Sequence, residues 1–341
     1  MFVGERLRDL DESALLRRVF PAFADLPGQD AVSVPAGDDA AVLDARSGSV
    51  IATTDSMVRD RDWRDDWSSG HDVGVKLVAQ NVADVAAMGG VPTGLLVSLI
   101  ADPEVEVAWA LDFTAGVAFA AADAGCPVMG GDLSSAPPGV VVVSITALGD
   151  LEGRTPVLRD GARAGDVVAV CGSLGWSGAG LSTYAAGLAE PELSPQSSHG
   201  DRLVSVLRWY HRSPRPPHEA GPVAAAAGAT AMLDVSDGLV RDGNRIAAAS
   251  GVCLDLSREA LDRDFVSELV EVLGEEGAWR QVLGGGEEHS LLATFPEGSV
   301  PDDESAPWWV IGRCVEPGPD GPRVLLDGIP APEQGWDHFH P

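Results

Sequence analysis

The chain has 341 residues, of which 23 are Lys or Arg and 52 are Asp or Glu, so its formal charge is −29. Its length predicts about two domains, and its 45% hydrophobic content is typical of a folded protein and excludes a disordered acidic chain. The negative charge disfavours binding to nucleic acid or to an anionic membrane, and any phosphate ligand would need accompanying cations.

The N-terminal half alternates helical and strand patterns. Periodicity predicts helices over 5–23, 72–88 and 103–123, and strands over 49–54, 93–100, 127–129 and 140–148. A Gly- and Pro-containing segment at 152–156 interrupts the pattern. We therefore predict two domains, 1–150 and 151–341.

The C-terminal half repeats the alternation. Strands are predicted over 166–171, 230–235, 252–256, 290–295, 308–311 and 324–326, and helices over 177–188, 238–250 and 258–273. A Pro-rich stretch at 190–217 contains one short helix. Mixed helices and strands in both halves predict an α/β or α+β fold in which helices cover one side of each sheet.

Several functional classes are excluded or disfavoured by short motifs that are missing. No stretch has the length of an apolar membrane span, and the N-terminus lacks a signal-peptide core, so we expect a cytoplasmic protein. The four cysteines are far apart, which predicts reduced, packed thiols. The single lysine, Lys76, is outside any Gly-Lys-Ser/Thr motif, which excludes a Walker A loop.

Carboxylates recur in short signatures near predicted strand ends. They are Gly37-Asp38-Asp39-Ala40-Ala41, Thr53-Thr54-Asp55, Asn81-Val82-Ala83-Asp84, Gly130-Gly131-Asp132 and Asp234-Val235-Ser236-Asp237-Gly238. Oxygen ligands of these types suit Mg²⁺, and carboxylates that converge would repel one another without cations. Singly, each signature is equally explained by a turn or, for the last of them, by a helix N-cap.

Asp84 is the most informative of these carboxylates. On a helix it shares a face with Val73, Leu77 and Met88, so it interrupts an apolar stripe. A buried charge needs a partner or a metal. From spacing alone, an Arg partner or a capped backbone amide is as acceptable as a metal ion.

Glycine-rich segments are candidates for phosphate binding. Residues 172–180 run from a predicted strand into a helix, whose N-terminal amides could hold an anion, although a tightly packed turn explains them as well. Residues 284–286 are three glycines that either let the backbone approach a ligand or form a flexible hairpin. His289 and His338 fit structural or exposed positions, and Trp63, Trp67 and Trp336 fit packing or stacking on a heterocycle.

In their order along the chain, these signatures resemble the thiamine-monophosphate kinase family. Further matching segments are 76–89, Leu158-Arg159-Asp160-Gly161-Ala162, Gly285-Gly286-Glu287-Glu288 and Gly335-Trp336-Asp337-His338-Phe339. This family is similar to aminoimidazole ribonucleotide synthetase and other ATP-using enzymes. The resemblance spans almost the whole chain, so the ordered set is far more specific than any single piece.

The resemblance implies a two-domain synthetase-like architecture and a set of site residues. The N-terminal domain would bind ATP and Mg²⁺ and would form a homodimer through its strands, and the C-terminal α+β domain would complete the cleft. Mg²⁺ ligands would be Asp39, Thr53, Thr54, Asp55, Asp84, Asp132, Asp234 and Asp237, with Asp84 and Asp237 catalytic. ATP would contact Gly131, Asp132, Arg159 and Ser236, and thiamine monophosphate would face Asp62, Glu287 and Trp336.

The activity implied is ATP-dependent conversion of thiamine monophosphate to thiamine diphosphate. Three departures from the family pattern affect recognition of the acceptor more than phosphate chemistry: Asp62-Trp63 replaces a His-Phe pair, Glu288-His289 replaces Asp-Tyr, and Leu133-Ser134-Ser135 lacks an Arg. The alternatives are a related enzyme that activates an amide or carbonyl with ATP, and a ligand-binding relative without turnover.

Overall fold

The computed structural model describes residues 4–34, 42–188, 194, 196–332 and 335. These residues belong to two compact units. Unit 1 comprises Met1–Val85 and Gly90–Gly153, and unit 2 comprises Ala86–Gly89 and Arg154–Pro341. Of the predicted site residues, Asp39 and Trp336 lie outside the described part of the chain, as do Asp38 and His338.

Unit 1 contains a four-stranded sheet with helices on one face. Its strands are β1 (Val32–Val34), β2 (Val42–Leu43), β3 (Ile51–Val58), β4 (Val91–Ala101), β5 (Val128–Ser135) and β6 (Val141–Asp150). Its helices are α1 (Glu12–Val19), α2 (Gly70–Ala87, which ends in unit 2) and α3 (Val107–Asp123). The sheet order is β3-β6-β4-β5, with β4 and β5 parallel and joined through α3, while β1 and β2 pair separately.

The unit 1 sheet is covered on one face, as the sequence predicts. Along β6, Val143 and Ile145 are buried, whereas the alternating Ser144 and Thr146 are half-buried on the open face. Helices α2 and α3 pack closely at Gly116. A Cβ there would lie 2.1 Å from the carbonyl oxygen of His71, so only glycine fits. This close contact holds α2, which carries Asp84, beside α3 on the buried face of the sheet.

The prediction of one continuous helix over 5–23 is wrong. The chain forms a 3₁₀ turn at Leu7–Asp9, then α1, then a second 3₁₀ turn at Phe20–Ala22. The break occurs because Asp11 caps α1, where its carboxylate accepts the N–H of Ala14 at 2.7 Å. Because α1 begins at this cap, the predicted helix is divided into separate segments, although its apolar residues keep a helical spacing.

Unit 2 is built around a seven-stranded sheet. Its strands are β7 (Val167–Cys171), β8 (Ala231–Val235), β9 (Cys253–Leu256), β10 (Ser290–Phe295), β11 (Trp308–Val315), β12 (Val324–Leu326) and β13 (Ile329–Pro330). Its helices are α4 (Trp176–Ala185), α5 (His199–Arg212), α6 (Ala220–Ala226), α7 (Leu239–Ser250), α8 (Arg258–Leu261) and α9 (Ser267–Gly284). The order is β13-β12-β9-β11-β7-β10-β8, in which only β9 and β12 pair in parallel.

The prediction of one-sided cover is wrong for the β7, β10 and β8 end of this sheet. Strands β7, β8 and β10 are buried along their whole length. On one face of the sheet, side chains of α5, α7 and α9 pack against Val168 and Val170 of β7. On the other face, α6 packs in the cluster that contains Ala169 of the same strand. The continuous apolar runs of these strands are typical of sheets covered on both faces.

The helices around the unit 2 sheet depart from the predicted lengths. Helix α5 has 14 residues, begun by a reciprocal capping box between Ser198 and Asp201. The predicted helix over 258–273 is α8, a π-helical turn at Asp262–Val266, and α9, which continues to Gly284 with a break at Gly274. In the part of the chain that the structure describes, no helix is long and apolar enough to cross a bilayer.

Candidate active site

In unit 1, strand β3 and helix α2 bring three predicted metal ligands to one layer. The Thr53 hydroxyl donates to Oδ2 of Asp84 at 2.6 Å. The backbone N–H of Asp55 donates to Oδ1 of Asn81 at 3.1 Å, and Asn81 is fully buried with its amide bonded to the Leu77 carbonyl. Thr53, Asp55 and Asp84 therefore lie on the helix side of the sheet, tied to one face of α2.

Thr54 and Asp132 are not brought to that layer. The Thr54 hydroxyl donates to the Ile145 carbonyl at 2.9 Å, and its side chain lies beside Thr146 on the open face. Asp132 is exposed on the edge strand β5, opposite Ser98 of β4, and accepts the Ser134 hydroxyl at 2.9 Å. Adjacent strand residues point to opposite faces, so Thr53 and Thr54 cannot contribute side chains together.

Gly131 and Asp62 have local structural roles. A Cβ at Gly131 would lie 1.7 Å from the Val97 carbonyl oxygen, so glycine is required where β5 approaches β4. The Asp62 carboxylate accepts the Val58 N–H at 2.7 Å and closes the turn after β3. Trp63 is buried and stacks on Trp109, with ring centroids 6.2 Å apart. Trp63 is therefore part of the core, not a platform for a heterocycle.

In unit 2, the turn between β8 and α7 is held by Asp242. Its fully buried carboxylate accepts the N–H groups of Ser236, Asp237 and Gly238 at 3.0, 2.8 and 3.1 Å. Burial raises the pKa of Asp242 to about 7, an effect that Arg245 opposes. The alternative in which Ser236 or Asp237 caps the helix is wrong, because Gly238 is the N-cap residue and has no side chain.

Both predicted metal carboxylates of unit 2 have basic partners. Asp237 Oδ2 lies 2.5 Å from Arg245 Nη2 and 3.8 Å from Arg241 Nε. Asp234 Oδ2 lies 3.1 Å from Nδ1 of His289, which is buried. A cation at Asp237 would therefore compete with a guanidinium for the same carboxylate.

The three glycines at 284–286 let their loop approach the 236–238 turn. A Cβ at Gly286 would lie 2.5 Å from the Ser236 carbonyl oxygen. The N–H of Glu287 donates to Ser236 O at 2.7 Å, and that of His289 to Val235 O at 2.9 Å. The close approach is thus to the chain's own backbone, and it sets Glu287 beside Ser236.

The acidic group at the start of α4 is Glu288. Its fully buried carboxylate accepts the Ser177 N–H at 2.7 Å and the Ser173 hydroxyl at 2.9 Å. Of the two alternatives for residues 172–180, the structure favours the packed turn over a phosphate site, since the helix N-terminus already has an internal carboxylate partner. The tight-packing alternative fits, because a Cβ at Gly180 would lie 2.3 Å from the Leu207 carbonyl oxygen.

Glu288→Gln is expected to change the pH dependence of stability. Burial raises the pKa of Glu288 from 4.5 to about 7, so the folded protein binds this proton more tightly than the unfolded chain. The carboxyl therefore lowers stability as pH rises from 4.5 to about 7. Gln does not ionise, so its Tm relative to wild type should be about 5 °C more favourable at pH 8 than at pH 5.

Thermal melts at pH 5 and pH 8 measure this difference, and any constant loss of hydrogen bonding in the variant cancels between them. Glu276→Gln is the matched control, because Glu276 is exposed beside Arg280. An equal Tm difference for Glu288→Gln at both pH values would show that the buried carboxyl does not titrate in this range.

Sequence reasoning missed several residues that shape the site. Asp242 could have been found, because an acidic residue in the first turn of a helix is a known stabilising pattern. Ser177 and His211 could not have been found, because they are 34 positions apart in the chain and only the fold brings Ser177 Oγ within 3.1 Å of His211 Nδ1.

The predicted ATP contact Arg159 is exposed, and its carbonyl accepts the Ser250 hydroxyl.

Comparisons with known proteins identify the family of this chain. Residues 37–151 match the family described as AIR synthase related protein, N-terminal domain. The thiamine-monophosphate kinase of Mycobacterium tuberculosis is 44% identical over 307 residues, which cover 89% of this chain and 85% of that protein. The chain belongs to the thiamine-monophosphate kinase family. It is therefore an enzyme, a phosphotransferase, with the two-domain α/β architecture that the sequence predicts.

Solved structures support the family membership. The thiamine-monophosphate kinase of Stenotrophomonas maltophilia K279a has a TM-score of 0.79 and 28% identity, covering 94% of this chain and 98% of that one. The structure described as AaThiL complexed with AMPPCP and TMP has a TM-score of 0.74 and 29% identity, covering 99% of this chain and all of that one. The similarity thus extends over both units.

Proposed function

We propose that this chain transfers the γ-phosphoryl group of ATP to thiamine monophosphate and releases thiamine diphosphate and ADP. The observation that carries the proposal is the similarity, over 99% of the chain, to a family member complexed with AMPPCP and TMP. AMPPCP is an ATP analogue that does not donate its terminal phosphoryl group. The pair therefore corresponds to a nucleotide donor and a phosphorylated acceptor.

Mg²⁺ fits the donor set of unit 1. The Thr53 hydroxyl and the carboxylates of Asp55 and Asp84 are oxygen ligands, and Mg²⁺ binds through one or two carboxylates together with phosphates and water. No group of three or more His, Cys, Asp or Glu residues within the described ranges would hold a metal ion alone. An ion shared between these ligands and bound phosphates accounts for both observations.

Other metal ligands implied by the resemblance stay predictions. They are Asp39, which is not described, the exposed Asp132, and Asp234 and Asp237, which have basic partners; Thr54 would require its backbone carbonyl. When bound, Mg²⁺ would neutralise charge on the donor and acceptor phosphates. That neutralisation is needed because the chain has a formal charge of −29 and its single lysine is buried in α2.

The chain's own residues would bind and orient the reactants. We propose that Arg159 and Ser236 contact ATP and that Glu287 faces the thiamine end of the acceptor. An oxygen of the acceptor phosphate attacks the γ-phosphorus of ATP in line, the bond from γ-phosphorus to the bridging oxygen breaks, and ADP leaves. No general base is required, because a phosphate acceptor is already ionised near neutral pH.

An acceptor panel tests this proposal. Purified protein is incubated with Mg-ATP and thiamine monophosphate, thiamine, or an amide or carbonyl precursor of the purine pathway, and ADP and thiamine diphosphate are quantified together. Equal amounts of both products, formed with thiamine monophosphate alone, are the expected result. ADP formed with the precursor would favour amide or carbonyl activation, and binding of both ligands without ADP would favour a relative that lacks turnover.

We also propose that the chain forms a homodimer through the open face of the unit 1 sheet. This face carries Leu96, which is 38% exposed, and Val58, which is 37% exposed, among hydroxyl side chains such as Thr146. An open face with apolar residues favours pairing with a second copy. The resemblance implies the same interface.

Leu96→Asp is therefore expected to convert the protein from twice 35.3 kDa to 35.3 kDa in light scattering after size exclusion. A charged residue on a buried contact leaves an unpaired carboxylate, which costs several kcal/mol, about enough to dissociate a moderate dimer. Phe119→Asp is the control, because Phe119 is exposed on α3 instead of the sheet. A Leu96→Asp protein that keeps the wild-type mass would contradict this interface.

A further inference from the structure

A buried polar cluster lies behind the loop that carries Glu287. It is formed by Ser173 and Ser177 at the start of α4, and by Tyr210 and His211 on α5. His211 is only 6% exposed, and its Nδ1 lies 3.1 Å from Ser177 Oγ and 3.5 Å from Glu287 Oε2. His211 therefore connects the helix pair α4–α5 with the side chain proposed to meet the acceptor.

The backbone of the loop is held in an unfavourable conformation. Glu287 and His289 both have positive φ angles, 61° and 55°, in the left-handed region that side chains rarely adopt. Such residues persist when their surroundings over-determine them, and they cluster at ligand-binding sites. Glu288, between them, is anchored inward by Ser177 and Ser173, and its carbonyl accepts the Tyr210 hydroxyl at 3.3 Å.

The consequence is that Glu287 and Glu288 point in different directions. Glu288 is fully buried against α4, whereas the side chain of Glu287 is 32% exposed, with one carboxylate oxygen toward His211. Glu287 thus presents a carboxylate at the surface of unit 2, with a buried ring behind it. A carboxylate held in this way suits a cationic or N–H-bearing group and repels an anionic one.

We propose that His211 is a positioning residue for the acceptor: its contacts with Ser177 and Glu287 hold the Glu287 carboxylate toward the cationic thiazolium or the aminopyrimidine of thiamine monophosphate. This inference rests on the proposed function. Holding the carboxylate in place before binding reduces the conformational entropy lost when the acceptor binds. Loss of this contact is therefore expected to raise the KM for thiamine monophosphate. The KM for ATP should not change, because the phosphates of ATP are anionic and do not bind a carboxylate.

The test compares the steady-state constants of four single variants with wild type, together with Glu287→Gln alone and combined with His211→Leu. His211→Leu removes the ring nitrogen, His211→Asn keeps an N–H group near the position of Nδ1, and Ser177→Ala removes the hydroxyl behind it. His199→Leu is the matched control, since His199 is an exposed residue of the same helix. Thermal melts and the KM for Mg-ATP are measured alongside.

His211→Leu is expected to raise the KM for thiamine monophosphate about tenfold, with kcat and the KM for Mg-ATP within about twofold of wild type. His211→Asn should restore the KM to within about threefold of wild type, and Ser177→Ala should raise it about threefold. In a Glu287→Gln background, His211→Leu should have no further effect, because the two residues act through one contact. His199→Leu should match wild type.

An unchanged KM for thiamine monophosphate in His211→Leu and Ser177→Ala would overturn the inference, as would additive effects of His211→Leu and Glu287→Gln. If His211→Leu does not fold, the Ser177→Ala and His211→Asn constants decide. Failure of the proposed function is distinct, because wild-type protein would then form no thiamine diphosphate. That result would overturn the inference together with the proposal on which it rests.

Discussion

Asp84→Asn is expected to lower kcat for thiamine diphosphate formation by about a thousandfold while the protein stays folded. The amide oxygen of Asn can still accept the Thr53 hydroxyl, now 2.6 Å from Asp84 Oδ2, so the contact between β3 and α2 is preserved. The negative charge is lost, and with it a ligand for the ion that neutralises the phosphates. Initial rates at saturating substrates, with thermal melts, measure both effects.

Asp123→Asn is the matched control for this charge removal, because Asp123 is an exposed residue at the end of α3 in the same unit. It should retain wild-type kcat. If Asp84→Asn keeps more than about a third of wild-type kcat at saturating Mg²⁺, Asp84 is not a metal ligand, because a residue that only bonds to Thr53 would behave in that way.

Asp237→Asn and Arg245→Met are expected to shift the Mg²⁺ requirement in opposite directions. Arg245 Nη2 lies 2.5 Å from Asp237 Oδ2, so the guanidinium competes with any cation at that carboxylate. Removing the carboxylate should lower kcat about a hundredfold and raise the Mg²⁺ concentration for half-maximal rate. Removing the guanidinium should lower that concentration, because the competitor is lost.

Mg²⁺ titrations of the rate, at fixed ATP and thiamine monophosphate, measure these shifts. Arg263→Met is the control, because Arg263 is an exposed residue that forms an ion pair with Asp264 in the same unit. If both Asp237→Asn and Arg245→Met lower Tm equally and leave the Mg²⁺ requirement unchanged, the ion pair is structural and Asp237 is not a ligand. The opposite shifts separate the two roles.

Much of the fold follows from local periodicity. The sequence predicts a helix over 72–88, and α2 is Gly70–Ala87; it predicts a strand over 230–235, and β8 is Ala231–Val235. These elements follow from side chains a few residues apart, so the sequence contains the information. Helix α6 and strand β13 were not predicted, because their short segments have too few residues for either periodicity to be read.

The site was predictable only as far as its residue types. The family resemblance implies that Thr53, Asp55 and Asp84 share a site, and the structure brings them to one layer through the Thr53–Asp84 and Asp55–Asn81 hydrogen bonds. That they bind Mg²⁺ stays a prediction. The sequence did not predict that Glu288 fills the N-terminus of α4, because Ser177 and Glu288 are 111 positions apart. Nor did it predict Arg245 beside Asp237, since the face of α7 that carries Arg245 is fixed by the buried Asp242.

A rapid-quench single turnover distinguishes direct phosphoryl transfer from ATP to thiamine monophosphate from transfer through a phosphoenzyme. Enzyme in excess over ATP labelled at the γ-phosphate is mixed with Mg²⁺ and thiamine monophosphate, and label is followed in protein, inorganic phosphate and thiamine diphosphate. Label is expected to enter thiamine diphosphate at the rate at which ADP forms, with none on the protein. Label that appears first on the protein, or in inorganic phosphate alone, would contradict direct transfer.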